Sequence, residues 1–252
     1  MKKSLIIFSL LIISFVLFNL KGTGENNAQY TILNPSDITT VRKTIQNIQD
    51  DSHILFIVDF SNSMNDSIYG RPKVEIARDT LAKILPQIPR SVKTGLRVYG
   101  HKAGFTYVQG CTASNLVVPM AQDNAQNIMT SLYSTNATGW TPITYSLKQA
   151  INNDFRGIAG KKHVVLLTDG GENCDESPCT YVINLMKTRD DIKIDVIAFD
   201  IHDIEANDQL RCTALMTRGK YLTANSEDDL YKSLFETVGI NKDVRGSVKV
   251  PH

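Results

Sequence analysis

Ile54-Leu55-Phe56-Ile57-Val58-Asp59-Phe60-Ser61-Asn62-Ser63 is an unbroken apolar run that ends in an acid and two hydroxyls at alternate positions, Asp59-x-Ser61-x-Ser63. A run with no polar face is the pattern of a parallel strand buried on both sides. The polar triplet then stands where the strand leaves the sheet, which is where open α/β folds gather their ligands. One carboxylate and two hydroxyls, all oxygen donors, suit a hard cation such as Mg²⁺ or Mn²⁺. The same triplet also suits a strand end whose Asp and Ser cap the next helix. Ten residues do not separate the two readings.

The rest of the chain repeats the strand and answers it with helices. Gly95 to Gly100 alternates more than the first run, as a strand nearer an edge does, and Leu116 to Pro119 is short, with an edge-type proline. His163 to Thr168 ends in Asp169-Gly170-Gly171, Ile194 to Phe199 ends in Asp200, and Gly219 to Ala224 reads as a last strand. Between them lie segments with apolar residues every three to four positions: Val74, Ala77, Leu81, Ile84 and Leu85, stopped by Pro86 and Pro89; Ala121 to Tyr133; Ile143, Leu147, Ala150, Ile151 and Phe155. Pro142 fits the first position of that third helix, with Thr141 at its N-cap. Ser177-Pro178 opens another helix, Leu210, Ala214 and Leu215 mark the next, and Ser226-x-x-Asp229 starts a final one carrying Leu230, Leu234 and Val238. Strands alternating with helices predict right-handed βαβ units. The link from Gly100 to Leu116 has no helical pattern and reads as a long polar loop. The expected architecture is therefore a doubly wound, mostly parallel sheet with one antiparallel edge strand and helices on both faces.

The 252 residues hold one such domain, residues 52–240, and the formal charge of +1 excludes a dedicated nucleic-acid binder. Lys2 and Lys3 precede an apolar run from Leu5 to Leu20, so residues 1–24 read as a signal peptide or an N-terminal membrane anchor. Gly22-Thr23-Gly24 is the best cleavage site. Either way the remainder is expected outside the cytoplasm (periplasmic, cell-surface or secreted), touching a membrane only through that segment if it is uncleaved. Residues 25–51 read as a linker, with a short amphipathic helix suggested by Val41, Ile45 and Ile48, and residues 241–252 as a polar tail. The four cysteines, Cys111, Cys174, Cys179 and Cys212, suit disulfides in such a compartment, in any of three pairings. Zinc is disfavoured, because there is no Cys-x-x-Cys pair and the histidines lack ligand spacing.

In a parallel sheet the carboxyl ends of the strands share one edge. That edge brings Asp59, Ser61 and Ser63 together with Asp169 and with Thr141, which lies in a loop opening a helix. Two carboxylates would offset the charge of a divalent ion, and three hydroxyls would supply neutral ligands, waters completing an octahedron. Singly, Thr141 is a sound N-cap and Asp169-Gly170 a sound turn; jointly the five make a metal site. A Gly-x-Ser-x-Gly elbow, a phosphate-cradling loop and an Asp-x-Asp pair are absent, which leaves hydrolase chemistry without its usual parts. His101 is the one histidine placed on the metal-bearing edge. Glu172, Asp175 and Glu176 read as a solvated loop.

Asp59-x-Ser61-x-Ser63, Thr141-Pro142 and Asp169-Gly170 together resemble the metal-ion-dependent adhesion site of von Willebrand factor A domains, in order and spacing, over residues 52–240. Gly139-Trp140-Thr141-Pro142-Ile143 and Thr168-Asp169-Gly170-Gly171-Glu172-Asn173-Cys174 resemble bacterial exported members of that family. The resemblance implies a non-catalytic domain that binds Mg²⁺ or Mn²⁺. Ser61, Ser63 and Thr141 would contact the metal, and Asp59 and Asp169 would bind it directly or through water. One coordination position would remain for an acidic residue of a protein or peptide partner. Asn62 departs from the glycine that many members carry at that position.

Overall fold

The computed structural model describes residues 53–239, so the signal peptide or anchor expected over residues 1–24, the linker over 25–51 and the polar tail over 241–252 lie outside the described residues. In chain order, β1 (His53–Asp59) leads through a 3-10 turn, Asn62–Asn65, and a two-residue ribbon, β2 (Ser67–Ile68) with β3 (Arg71–Pro72), into α1 (Lys73–Ile84). Then come β4 (Lys93–Tyr99), α2 (Tyr107–Cys111), β5 (Ser114–Ala121), α3 (Ala125–Ser134) and α4 (Ile143–Gln149), the last continuing as a π turn over Ala150–Asp154. The second half alternates as β6 (Lys162–Thr168), α5 (Pro178–Leu185), β7 (Ile192–Phe199), α6 (Ile204–Met216), β8 (Tyr221–Ala224) and α7 (Glu227–Thr237).

The main sheet has the order β5-β4-β1-β6-β7-β8. β1 lies inside it, paired in parallel with β4 on one side and β6 on the other. Only β5 runs antiparallel, on the edge, with two register shifts against β4. Pro119, without a backbone donor, is tolerated in that edge strand. The doubly wound sheet with one antiparallel edge strand is therefore what the sequence predicts.

All seven residues of β1 are buried, and successive side chains feed opposite cores. Ile54, Phe56 and Val58 pack with Leu81 of α1, Ile128 of α3 and Leu234 of α7. Leu55 and Ile57 pack with Leu147 of α4, Val182 of α5 and Leu210 of α6. Helices cover both faces, so Ile54 to Val58 have no side turned to solvent.

Two local expectations are corrected. The stretch after Gly100 is not loop throughout: Thr106 accepts the N–H of Gln109 and caps the short helix α2. The helix expected from Ala121 starts at Ala125, because Ala121 still pairs with Thr94 as the end of β5.

Candidate metal centre

Three aspartates mark the carboxyl edge of the sheet. Asp59 is the last residue of β1, Asp169 follows β6 and Asp200 follows β7. The chain stays extended through Ser61, whose N–H donates to Asp59 Oδ1 at 2.6 Å. That bond sets the start of the 3-10 turn carrying Ser63. The two serine hydroxyls lie 3.0 Å apart, and Ser63 Oγ donates to Asp169 Oδ1 at 2.8 Å. A hydroxyl has one proton. Ser63 spends its proton on Asp169, so Ser61 is the donor between the serines. Asp59, Ser61, Ser63 and Asp169 thus form one hydrogen-bonded chain across 110 positions of sequence.

The loop that leads to Thr141 is held against Ser61 through the backbone. Gly139 forms an isolated parallel bridge with Ser61, and the Asn62 N–H donates to the Gly139 carbonyl at 3.0 Å. Gly100 makes this approach feasible: its φ is +70°, and a Cβ there would lie 2.5 Å from the Ser61 nitrogen and 2.7 Å from the Trp140 carbonyl oxygen. Thr141 is buried, and its N–H donates to Asn173 Oδ1 at 2.8 Å. It is not the helix N-cap expected from the sequence. α4 begins at Ile143, and Pro142, at the cap position, offers no side-chain hydrogen bond. The cap comes from Glu172, whose carboxylate accepts the N–H of Thr144 at 2.6 Å and of Cys174 at 3.0 Å. Negative charge at a helix N-terminus is favourable. Glu172 is therefore a structural clamp rather than part of a solvated loop, and the Thr141 hydroxyl is not used in capping.

The two carboxylates are held differently. Asp59 is fully buried and, among the described residues, accepts only from neutral groups: the Ser61 N–H, the Tyr99 hydroxyl at 3.0 Å and the Thr168 hydroxyl at 2.8 Å. Burial first, and then repulsion from Asp169, pushes its pKa from 3.8 up to about 6. Burial also raises Asp169, against the opposing pull of Ser63 and Lys73. The Lys73 ammonium, at the start of α1, lies 3.2 Å from Asp169 Oδ2 and 3.2 Å from Asp200 Oδ2, with its side chain only 9% exposed. Burial alone would depress Lys73, but the two aspartates hold it above its ordinary value. Among the described residues, one buried acid therefore has a cation and the other has none. A buried anion without a counter-charge is costly, and a hard cation beside Asp59 relieves that cost.

Tyr99, Thr168 and Lys73 were not singled out from the sequence. Tyr99 stands beside Asp59 in the β1–β4 register, which a strand alignment alone suggests. Lys73 reads as the first polar residue of an amphipathic helix and carried no signal. Of the histidines, His101 bonds Asn115 Oδ1 at 2.9 Å and none of the five expected ligands, while His163 bonds Asp195 at 2.8 Å. No three His, Cys, Asp or Glu side chains converge among the described residues. The cysteines pair as Cys111–Cys174 and Cys179–Cys212, so the Cys174 loop is tied to its neighbours rather than closed on itself.

A model of the von Willebrand factor type A domain matches residues 53–237, and the chain belongs to that family. Two relatives from Bacillus subtilis (strain 168), both described as uncharacterized, align over most of their length. YwmC is 30% identical over 194 residues, 75% of this chain and 84% of its own. YwmD is 28% identical over 187 residues, 72% of this chain and 82% of its own. Among solved structures, proximal thread matrix protein 1 from the mussel byssus, with a zinc-occupied MIDAS motif, superimposes with a TM-score of 0.57 at 19% identity. The pilus adhesin SpaC from Lactobacillus rhamnosus GG does so with 0.59 at 14%. Each match covers 74% of this chain, but only 44% of the mussel protein and 30% of the adhesin. At these identities the likeness is one of fold.

Proposed function

We propose that the chain is an exported protein-binding module, serving adhesion or complex assembly, whose Mg²⁺ or Mn²⁺ is completed by an acidic residue of the partner. The observation that carries this reading is Asp59: a fully buried carboxylate with neutral donors only among the described residues, linked through Ser61 and Ser63 to Asp169. Ser61, Ser63 and Thr141 are proposed to hold the ion through their hydroxyls, with Asp59 and Asp169 supplying the charge. The bound cation would offer a Lewis-acidic position to a carboxylate from outside. Binding rather than catalysis is proposed, since no histidine among the described residues bonds to any of the five. Export is supported by the two disulfides.

Calorimetry on the full chain tests the site. Mg²⁺ binding is expected in the parent and absent in Asp59→Ala; undiminished heat in that variant would sink the assignment. A second reading, a structural part of an envelope complex with a non-essential metal site, is favoured by Lys73, which already neutralises Asp169. Capture of partners that survives chelator would select it.

A further inference from the structure

Beside Thr141 the surface carries a cluster of large apolar side chains facing water. Phe105 is 98% exposed, Val108 68%, Tyr107 43% and Trp140 36%. These are not loosely held residues. Thr106 caps α2, the Phe105 N–H donates to Gln109 Oε1 at 3.1 Å, and Cys111 at the end of the helix is bridged to Cys174. The rings of Tyr107 and Trp140 meet edge to face at 5.4 Å. Gly110 is required beneath them, because a Cβ there would lie 2.6 Å from the indole. The backbone is fixed, and Phe105 is left with nothing to pack on.

The cluster is continuous with the candidate metal centre. Trp140 directly precedes Thr141, and Asn173, which holds the Thr141 N–H, directly precedes the bridged Cys174. We propose that Phe105, Tyr107, Val108 and Trp140 form an apolar ridge that seats the partner residues flanking its metal-binding acid. The ligand is then a protein segment bearing Asp or Glu with a large aliphatic or aromatic side chain within about four residues, roughly 13 Å of extended chain. This rests on the metal-dependent reading above and adds the partner's second recognition element.

Charge and area argue for this occupant. The Tyr107 hydroxyl donates to Asp175 Oδ2 at 2.8 Å, so burying the ridge in a bilayer would carry an exposed carboxylate toward lipid. The four side chains expose on the order of 500 Å², short of the roughly 800 Å² per partner of a standard interface. A symmetric dimer held by the ridge alone is therefore too small, whereas ridge and ion together suit a separate ligand. Burying Phe105 alone is worth about ten- to a hundredfold in affinity.

The test is a phage-displayed random peptide library, panned on the full chain in Mg²⁺ and in chelator, with Phe105→Ser in parallel. Phe105 makes no side-chain contact that folding needs, so the variant should keep the parent's Mg²⁺ heat in calorimetry. Enriched clones should pair an acid with a large apolar residue within four positions, and the variant should bind them about tenfold or more weakly in Mg²⁺. Enrichment of acidic clones without that apolar preference, or equal binding to the variant, would overturn the ridge while leaving the metal reading intact. Apolar clones retained equally in chelator would overturn both. Absence of enrichment, Phe105-dependent binding to phosphatidylcholine vesicles, or a Phe105-dependent dimer in sedimentation would also reject the proposal.

Discussion

Lys73 Nζ stands 3.2 Å from Asp169 Oδ2, within the cluster that carries the candidate metal ligands. It reaches Asp200 at the same distance, so one ammonium ties the end of β6 to the end of β7. The helix that follows the serine turn therefore delivers a cation to the same edge as the hydroxyls. Charge is shared there between a built-in ammonium and, on the proposed reading, a divalent ion.

Removing that ammonium separates the two contributions. Lys73→Met keeps most of the buried stem and leaves Asp169 and Asp200 without their counter-charge. Breaking a buried pair from one side costs about 3–5 kcal/mol, so the metal-free variant should be less stable by about that amount and unfold at lower denaturant. Mg²⁺ should restore more stability to the variant than it adds to the parent, because the ion meets a more negative site. Urea unfolding with and without Mg²⁺ measures both. An equal Mg²⁺ increment in the two proteins would show that Lys73 and the ion do not share a field.

Asp59 gives a pH signature. Its pKa is lifted from 3.8 to about 6, by burial first and Asp169 second. The folded chain thus holds this proton more tightly than the unfolded chain. The resulting stabilisation is complete below the unfolded value and is lost as pH rises through the folded one. Other carboxylates act oppositely: Asp191 is held below its usual range chiefly by the Arg189 hydrogen bond. The comparison must therefore be with Asp59→Asn, which has no proton to lose. Between about pH 4.5 and about pH 7.5, in chelator, the parent should lose stability relative to that variant. In excess Mg²⁺ the parent should gain relative to it over the same interval, since the ion binds the carboxylate form. Parallel pH profiles for the two proteins in chelator would show that Asp59 titrates normally.

The fold was legible because burial on both faces of β1 is written directly in its apolar run, and because each βαβ unit carries its own periodicity. The edge strand was legible from Pro119 and from a link lacking a helical pattern. The hydrogen-bonded set Asp59, Ser61, Ser63 and Asp169 was approachable from the sequence because the shared edge of a parallel sheet follows from topology. What the chain did not announce depends on partners distant in sequence. Lys73 looks like any polar residue opening a helix until Asp169 and Asp200 surround it. Thr141 looks like a cap until Glu172, from another loop, takes that role. The pairing of Cys111 with Cys174 requires knowing that two loops meet beside Thr141. The helix α2 escaped because five residues are too few for a period to register.

A pair unrelated to the candidate centre tests how the sheet's polar interior is held. Arg97 of β4 forms a two-pronged ion pair with Asp154, through Nε at 2.6 Å and an Nη at 2.7 Å, and its other Nη donates to Ser114 at 3.0 Å. Both side chains are at most 5% exposed. Asp154 closes the π turn after α4, so the pair locks that turn against the antiparallel edge of the sheet. Arg97→Met strands a buried carboxylate and should cost about 3–5 kcal/mol, whereas replacing both members by apolar residues of similar size should recover most of the loss. Denaturant melts of Arg97→Met, Asp154→Leu and the double variant form the cycle. A double variant as unstable as the sum of the singles would mean that the two residues act independently, and the lock between the turn and the sheet edge would have to be sought elsewhere.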